Sequence, residues 1–193
     1  MKLWKIVTLL SAIGGLIGCS TEAPYKVNQQ LTAPYITDAQ NQQDDDKALA
    51  KRLDSILSDQ LVNSQIKVVV NHSNVLLVGQ VARNGDKLKA ESICKKWPGT
   101  KQVFDYMTIA DQPKLDSSSS ISSAAMDRIK MQFDINTDSI NVVTVDNVVY
   151  IMGTDVGNLT ALDTAITAIY SIPNVRKVVN LVQKGSLDYV VTK

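Results

Sequence analysis

The chain has 193 residues, 45% hydrophobic and 20% charged: enough apolar content for a core, and enough length for one ordinary domain or two small ones. Twenty Lys and Arg face nineteen Asp and Glu, a formal net charge of +1, so there is no global basic field of the kind that recruits nucleic acid. One histidine (His72) and two cysteines (Cys19, Cys94) cannot supply a zinc cluster. No nucleophile, acid–base pair or cofactor motif accompanies them, so the sequence predicts no catalytic residues, metal or cofactor.

Residues 1–18 carry Lys2 and Lys5, then the apolar stretch Ile6–Ile17 with small residues toward its end. This describes a secretory signal peptide, too short to span a bilayer, which takes about 20 apolar residues. The segment Leu16-Ile17-Gly18-Cys19-Ser20 resembles the lipobox of bacterial lipoproteins, in which the cysteine thiol is diacylglycerated and the leader is cut off before it. The resemblance makes Cys19 the lipidation site, with acyl chains that anchor the chain without spanning the membrane. Losing Lys2 and Lys5 leaves 18 basic against 19 acidic residues. Ser20, where Asp would signal inner-membrane retention, points by the same resemblance to the outer membrane, facing the periplasm. Residues 19–45, with Pro24, Pro34 and many Gln and Asn, show no apolar period and read as a flexible tether. The run Asp44-Asp45-Asp46 reads as a helix start, since acids suit the positive end of the helix dipole.

The remainder is one module written twice. Ile66–Val70 and Val75–Gly79 align with Ile140–Thr144 and Val149–Gly153 at an offset of 74. Pro98…Val103-Phe104-Asp105 aligns with Pro173…Val178-Val179-Asn180 at 75, and Ala50…Leu53…Leu57 with Met126…Ile129…Phe133 at 76. Three blocks in the same order make a tandem duplication. In the first copy, helical spacing of Leu49, Leu53, Ile56 and Leu57 predicts a helix over 46–61. Two β-branched runs, 66–71 and 75–81, flank the turn-prone His72-Ser73-Asn74; a second helix over 84–96 stops at Trp97-Pro98-Gly99, and a strand covers 101–109. The second copy predicts a helix over 122–133, strands over 140–145 and 148–154 about Asp146-Asn147, a helix over 157–171 and a strand over 175–183. The fold class is thus α+β: two tandem αββαβ units, each a three-stranded mixed sheet with both helices on one face. Their bounds are 46–110 and 122–185, with a Ser-rich linker over 111–121 and a tail over 186–193.

This pattern resembles the BON domain (bacterial OsmY and nodulation). The matching features are a hydrophobic segment ending in Gly, here Val75-Leu76-Leu77-Val78-Gly79, then a helix, then a strand such as Val175-Arg176-Lys177-Val178-Val179-Asn180. Asp105 stands where the first copy should have Asn, and Asp155 follows Thr154 where the second should have Val after its Gly. A lipobox with two such domains resembles the dual-BON outer-membrane lipoproteins of Gram-negative bacteria. The resemblance implies a non-enzymatic protein that binds phospholipid and supports envelope integrity. The alternative is a lipid-tethered scaffold that docks a protein of an envelope assembly or secretion complex. The sequence does not decide the oligomeric state.

Alternation places Val75, Leu77 and Gly79 on the helix-covered face and Leu76, Val78, Tyr150 and Met152 on the other. That second apolar face serves either packing between the two domains or docking of a partner. Gly79 and Gly153 read as places where a helix packs tightly on the sheet, ahead of ligand contact. On the first helix of copy two, Met126, Ile129 and Phe133 form the predicted core stripe. Arg128, Met131 and, if the helix continues, Ile135 lie opposite it, with Lys130 nearer the core edge. These four are the candidate membrane contacts, the apolar pair entering the headgroup region and the cations meeting anionic phosphate. The same face of copy one holds Lys51, Arg52, Ser55 and Asp59. Trp97 reads either as an interfacial anchor or as a core aromatic. Cys94 is either buried or available for an intermolecular bond. His72 reads as an exposed turn residue.

Overall fold

A computed structural model describes residues 38–183. The predicted signal peptide, Cys19, residues 19–37 of the tether and the tail over 186–193 lie outside the described residues. The first copy consists of α1 (Asp38–Gln60), β1 (Ser64–Asn71), β2 (Asn74–Val81), α2 (Asn84–Lys96) and β3 (Gln102–Ile109). The second consists of α3 (Ser119–Lys130), a 3₁₀ turn (Thr137–Ser139), β4 (Ile140–Val145), β5 (Val148–Thr154), α4 (Leu159–Ile169) and β6 (Lys177–Gln183). The α+β class and the paired αββαβ units are as the periodicity predicts.

Both sheets have the same topology. β1 and β2 form an antiparallel hairpin with Val68 opposite Leu77, and β4 and β5 repeat it with Val142 opposite Ile151. The third strand returns parallel to the second, pairing Leu77 with Asp105 and Ile151 with Asn180. Each hairpin turns through two consecutive residues of positive φ, His72 (49°) with Ser73 (66°), and Asp146 (50°) with Asn147 (60°). Asp-Asn tolerates this left-handed backbone; His-Ser does so less readily. The first turn has outside help. Asp46 of α1 is buried, and its carboxylate accepts the His72 N–H at 2.6 Å and the Ser73 N–H at 2.9 Å.

This role corrects the reading of the acidic run. α1 begins at Asp38, so Asp46 lies inside the helix, and residues 38–45 are helical where the sequence predicted tether. Their Gln-rich composition suits a helix but carries no apolar period to reveal one. The linker is shorter and better held than expected. Ser118 caps α3, its Oγ accepting the Ile121 N–H at 3.3 Å, so part of the serine run opens the helix. Ser117 pairs with Val145, and Lys114 N–H donates to Gln80 Oε1 at 3.0 Å.

Three apolar cores result among the described residues. In the first, Leu53 and Leu57 of α1 and Ala90 and Cys94 of α2 pack on Val75, Leu77 and Val81. In the second, Ala125 and Ile129 of α3 and Leu162, Ala165 and Ile169 of α4 pack on Val149 and Ile151. The third lies between the sheets, where Leu76 and Val78 of β2 meet Val143, Val145, Val148, Tyr150, Met152 and Val179. Strand alternation therefore divides β2 between a helical layer and the opposite sheet. Each copy has about 65 residues, near the lower limit for a self-sufficient core, and the shared third core adds the missing burial. Its margin is polar. Asn71 Nδ2 donates to Ser139 O at 3.1 Å, Asn141 Nδ2 to Val70 O at 3.0 Å, and Gln80 Nε2 to Asp146 Oδ2 at 3.2 Å.

The glycines differ from their predicted role. A Cβ on Gly79, whose φ is +114°, would overlap Gln65 O of β1, so the close neighbour is the hairpin partner's backbone rather than a helix. A Cβ on Gly153 would meet the Val156 side chain at 2.7 Å and Ser139 O at 3.1 Å.

Candidate functional site

α3 stops early. Its last residue is Lys130, Met131 is the C-cap, and Asp134 takes a φ of 62° that turns the chain toward β4. Asp134 O then accepts the Asn158 N–H at 2.9 Å, which fixes this turn against the start of α4. The consequence for the apolar stripe is direct. Ile129 is buried, but Phe133 lies beyond the helix end and is 87% exposed, correcting its assignment to the core. Met131 is 66% exposed. Ile135, proposed as a membrane contact on a longer helix, packs instead against the second core and pairs with Gly157.

The four candidate contacts therefore separate. Lys130 and Met131 are exposed at the end of α3, Arg128 is partly buried one turn earlier, and Ile135 leaves the set. Phe133 joins it. An apolar residue four positions after Ile129 looked like core, and only the helix's end shows otherwise. A shallow hollow of about 280 Å³ runs beside Lys130, lined by Ser122, Ser123, Met126, Asp127 and Val142.

Charge pairing distinguishes the two copies. All four ion pairs among the described residues lie in copy one: Lys47–Asp44, Arg83–Asp86, Lys87–Asp105 and Lys95–Glu91. Arg128 and Lys130 have none, which leaves two cations beside two exposed apolar side chains.

Leu76, Val78, Tyr150 and Met152, which the sequence left between domain packing and partner docking, lie buried between the two sheets. Tyr150 meets Tyr106 of the other copy edge to face, ring centres 5.3 Å apart at 63°. Burial and the carboxylate of Asp146 push its hydroxyl pKa upward. Trp97 packs partly buried against the first core. Cys94 is buried and free, its thiol pushed up to about 12 by burial. His72 is partly buried rather than exposed, its ring nitrogen 3.1 Å from Asn71 Oδ1. Among the described residues no group of His, Cys, Asp or Glu is arranged to hold a metal ion, and no helix is long and apolar enough to cross a membrane.

Two αββαβ units joined sheet to sheet, with a cationic and apolar corner on the second, define a tandem α+β module. The BON domain family model matches residues 45–111 and 117–184, and the chain belongs to the BON-domain family, whose domains are associated with phospholipid and membrane binding. No curated protein matches the chain. Among solved structures, the C-terminal domain of CdsD, the structural protein of the type III secretion system of Chlamydia trachomatis, is 12% identical with a TM-score of 0.30. The match covers 68% of this chain and 94% of that one. A second CdsD structure is also 12% identical, with a TM-score of 0.29, covering 73% of this chain and 65% of that one. Likeness at this level carries no functional weight.

Proposed function

We propose that this protein is a non-enzymatic lipoprotein of the outer membrane, facing the periplasm, that binds anionic phospholipid through its second BON domain and supports envelope integrity. The carrying observation is the end of α3, where exposed Met131 and Phe133 stand beside the cations Arg128 and Lys130, neither of them in an ion pair among the described residues. Lipid on Cys19 would hold the folded body near the membrane, so that weak contacts act at high effective concentration. Burying a Phe or Met side chain contributes about 1.5–3 kcal/mol, and each cation near an anionic surface about 1 kcal/mol. A few such contacts suffice for a tethered body.

The test is binding of the chain lacking residues 1–19 to liposomes with and without anionic lipid, at low and moderate salt. The reading expects binding that requires anionic lipid, falls with salt as the cations are screened, and is lost in Arg128→Glu with Met131→Asp. Absence of binding to any liposome defeats it.

A further inference from the structure

Among the described residues, β3 and β6 are the outermost strands of their sheets on the side away from the hairpins. A row of free N–H and C=O groups along such an edge is a template for another chain. In β3 the edge is occupied from within. Ala110 N–H donates to Val81 O at 3.0 Å, on the β2 side, so Met107, three residues earlier, directs its backbone polar groups outward. Asp105 Oδ1 accepts the Met107 N–H at 2.9 Å, and Lys87 Nζ donates to Met107 O at 2.7 Å. Lys87 and Asp105 are themselves 3.5 Å apart.

β6 repeats the device. Asn180 Oδ1 accepts the Val182 N–H at 3.0 Å, and Tyr170 Oη accepts the Val178 N–H at 3.4 Å. Asp105 and Asn180 are equivalent in the duplication and sit opposite Leu77 and Ile151. Asp replaces Asn here without loss, because the bond needs only a side-chain oxygen two residues before the amide. Both strands are otherwise rich in β-formers (Val103, Phe104, Tyr106 and Ile109; Val178, Val179, Leu181 and Val182), the composition that pairs most readily when an edge is open.

We infer that Asp105 and Asn180 are edge guards, whose side chains close the outer edges of β3 and β6 against strand pairing with a second copy of this chain. Removing the oxygen while adding a β-branched group opens the edge and favours association. Conservative exchange keeps it closed.

The test compares the full chain, in detergent, with Asp105→Val plus Asn180→Val, with Asp105→Asn plus Asn180→Asp, and with Thr108→Val, which adds the same group on β3 without touching a guard. Sedimentation velocity over a range of concentrations is expected to show the Val pair forming larger species, the other two variants sedimenting like wild type. A folded Val pair that sediments like wild type, or a Thr108→Val variant that associates equally, overturns the inference. Amide hydrogen exchange gives a second readout that holds even if the Val pair fails to fold. Met107 and Val182 amides are expected to exchange slowly in wild type, and rapid exchange at both would overturn the inference.

Discussion

Leu57 and Phe133 occupy equivalent places in the duplicated sequence, yet Leu57 is 2% exposed in the first core and Phe133 is 87% exposed. The difference is helix length. α1 continues to Gln60, carrying Leu57 onto the sheet, whereas α3 ends at Lys130 and the chain has turned away before Phe133. The two positions should answer truncation differently. In urea unfolding, Leu57→Ala is expected to cost about 2–5 kcal/mol, and Phe133→Ala to lie within about 0.5 kcal/mol of wild type. Equal losses would place Phe133 in the core.

Asp46 holds the first hairpin turn through two short bonds to residues in left-handed backbone. Replacing it with Ala leaves the His72 and Ser73 N–H groups without that acceptor, a loss of about 1–3 kcal/mol. Asp46→Asn, which keeps an oxygen, should fall between Ala and wild type. The midpoint of urea unfolding measures both.

The two strand glycines should rank clearly. Gly79→Ala drives its new methyl into a backbone oxygen with φ at +114°, and is expected to cost about 3 kcal/mol or more. At Gly153 the nearest atom belongs to the buried Val156 side chain rather than to backbone, so the new methyl overpacks the second core, and Gly153→Ala should cost about 1–3 kcal/mol. Thermal melts of both variants give the order directly; a reversed order would contradict the geometry.

Burial of Cys94 has a pH consequence. Its thiol pKa is raised from 9.0 to about 12 in the folded state, so the native protein keeps the proton while the unfolded chain releases it. The stabilisation is fully present below the unfolded pKa and is lost as pH rises from about 9 toward 12. The folded chain at pH 8 should resist a thiol-modifying reagent that labels Cys94 at once in denaturant. Rapid labelling of native protein would show that the thiol is reachable.

Much of this architecture is legible in the residues. The strands 140–145 and 148–154 and the helix over 84–96 match their predicted bounds, because each combines a strong period with clear punctuation. Alternation along β2 likewise separates Val75 and Leu77 from Leu76 and Val78, which face different layers. Three features escaped because the deciding contact is distant in sequence. Asp46 joins a turn 26 residues on. Gly79 answers to Gln65 across the hairpin. Phe133 continues the spacing of Ile129, and the end of α3 is fixed by Asp134 turning toward Asn158, which no local pattern announces.

The central claim is that the corner after α3 enters a lipid surface. An indole placed there reports it most directly, in a chain lacking residues 1–19 and carrying Trp97→Phe with Phe133→Trp. With anionic vesicles bearing brominated acyl chains, the account predicts a blue-shifted and quenched emission that reverts as salt releases the protein. Vesicle-bound protein whose indole emission stays unshifted and unquenched would contradict it.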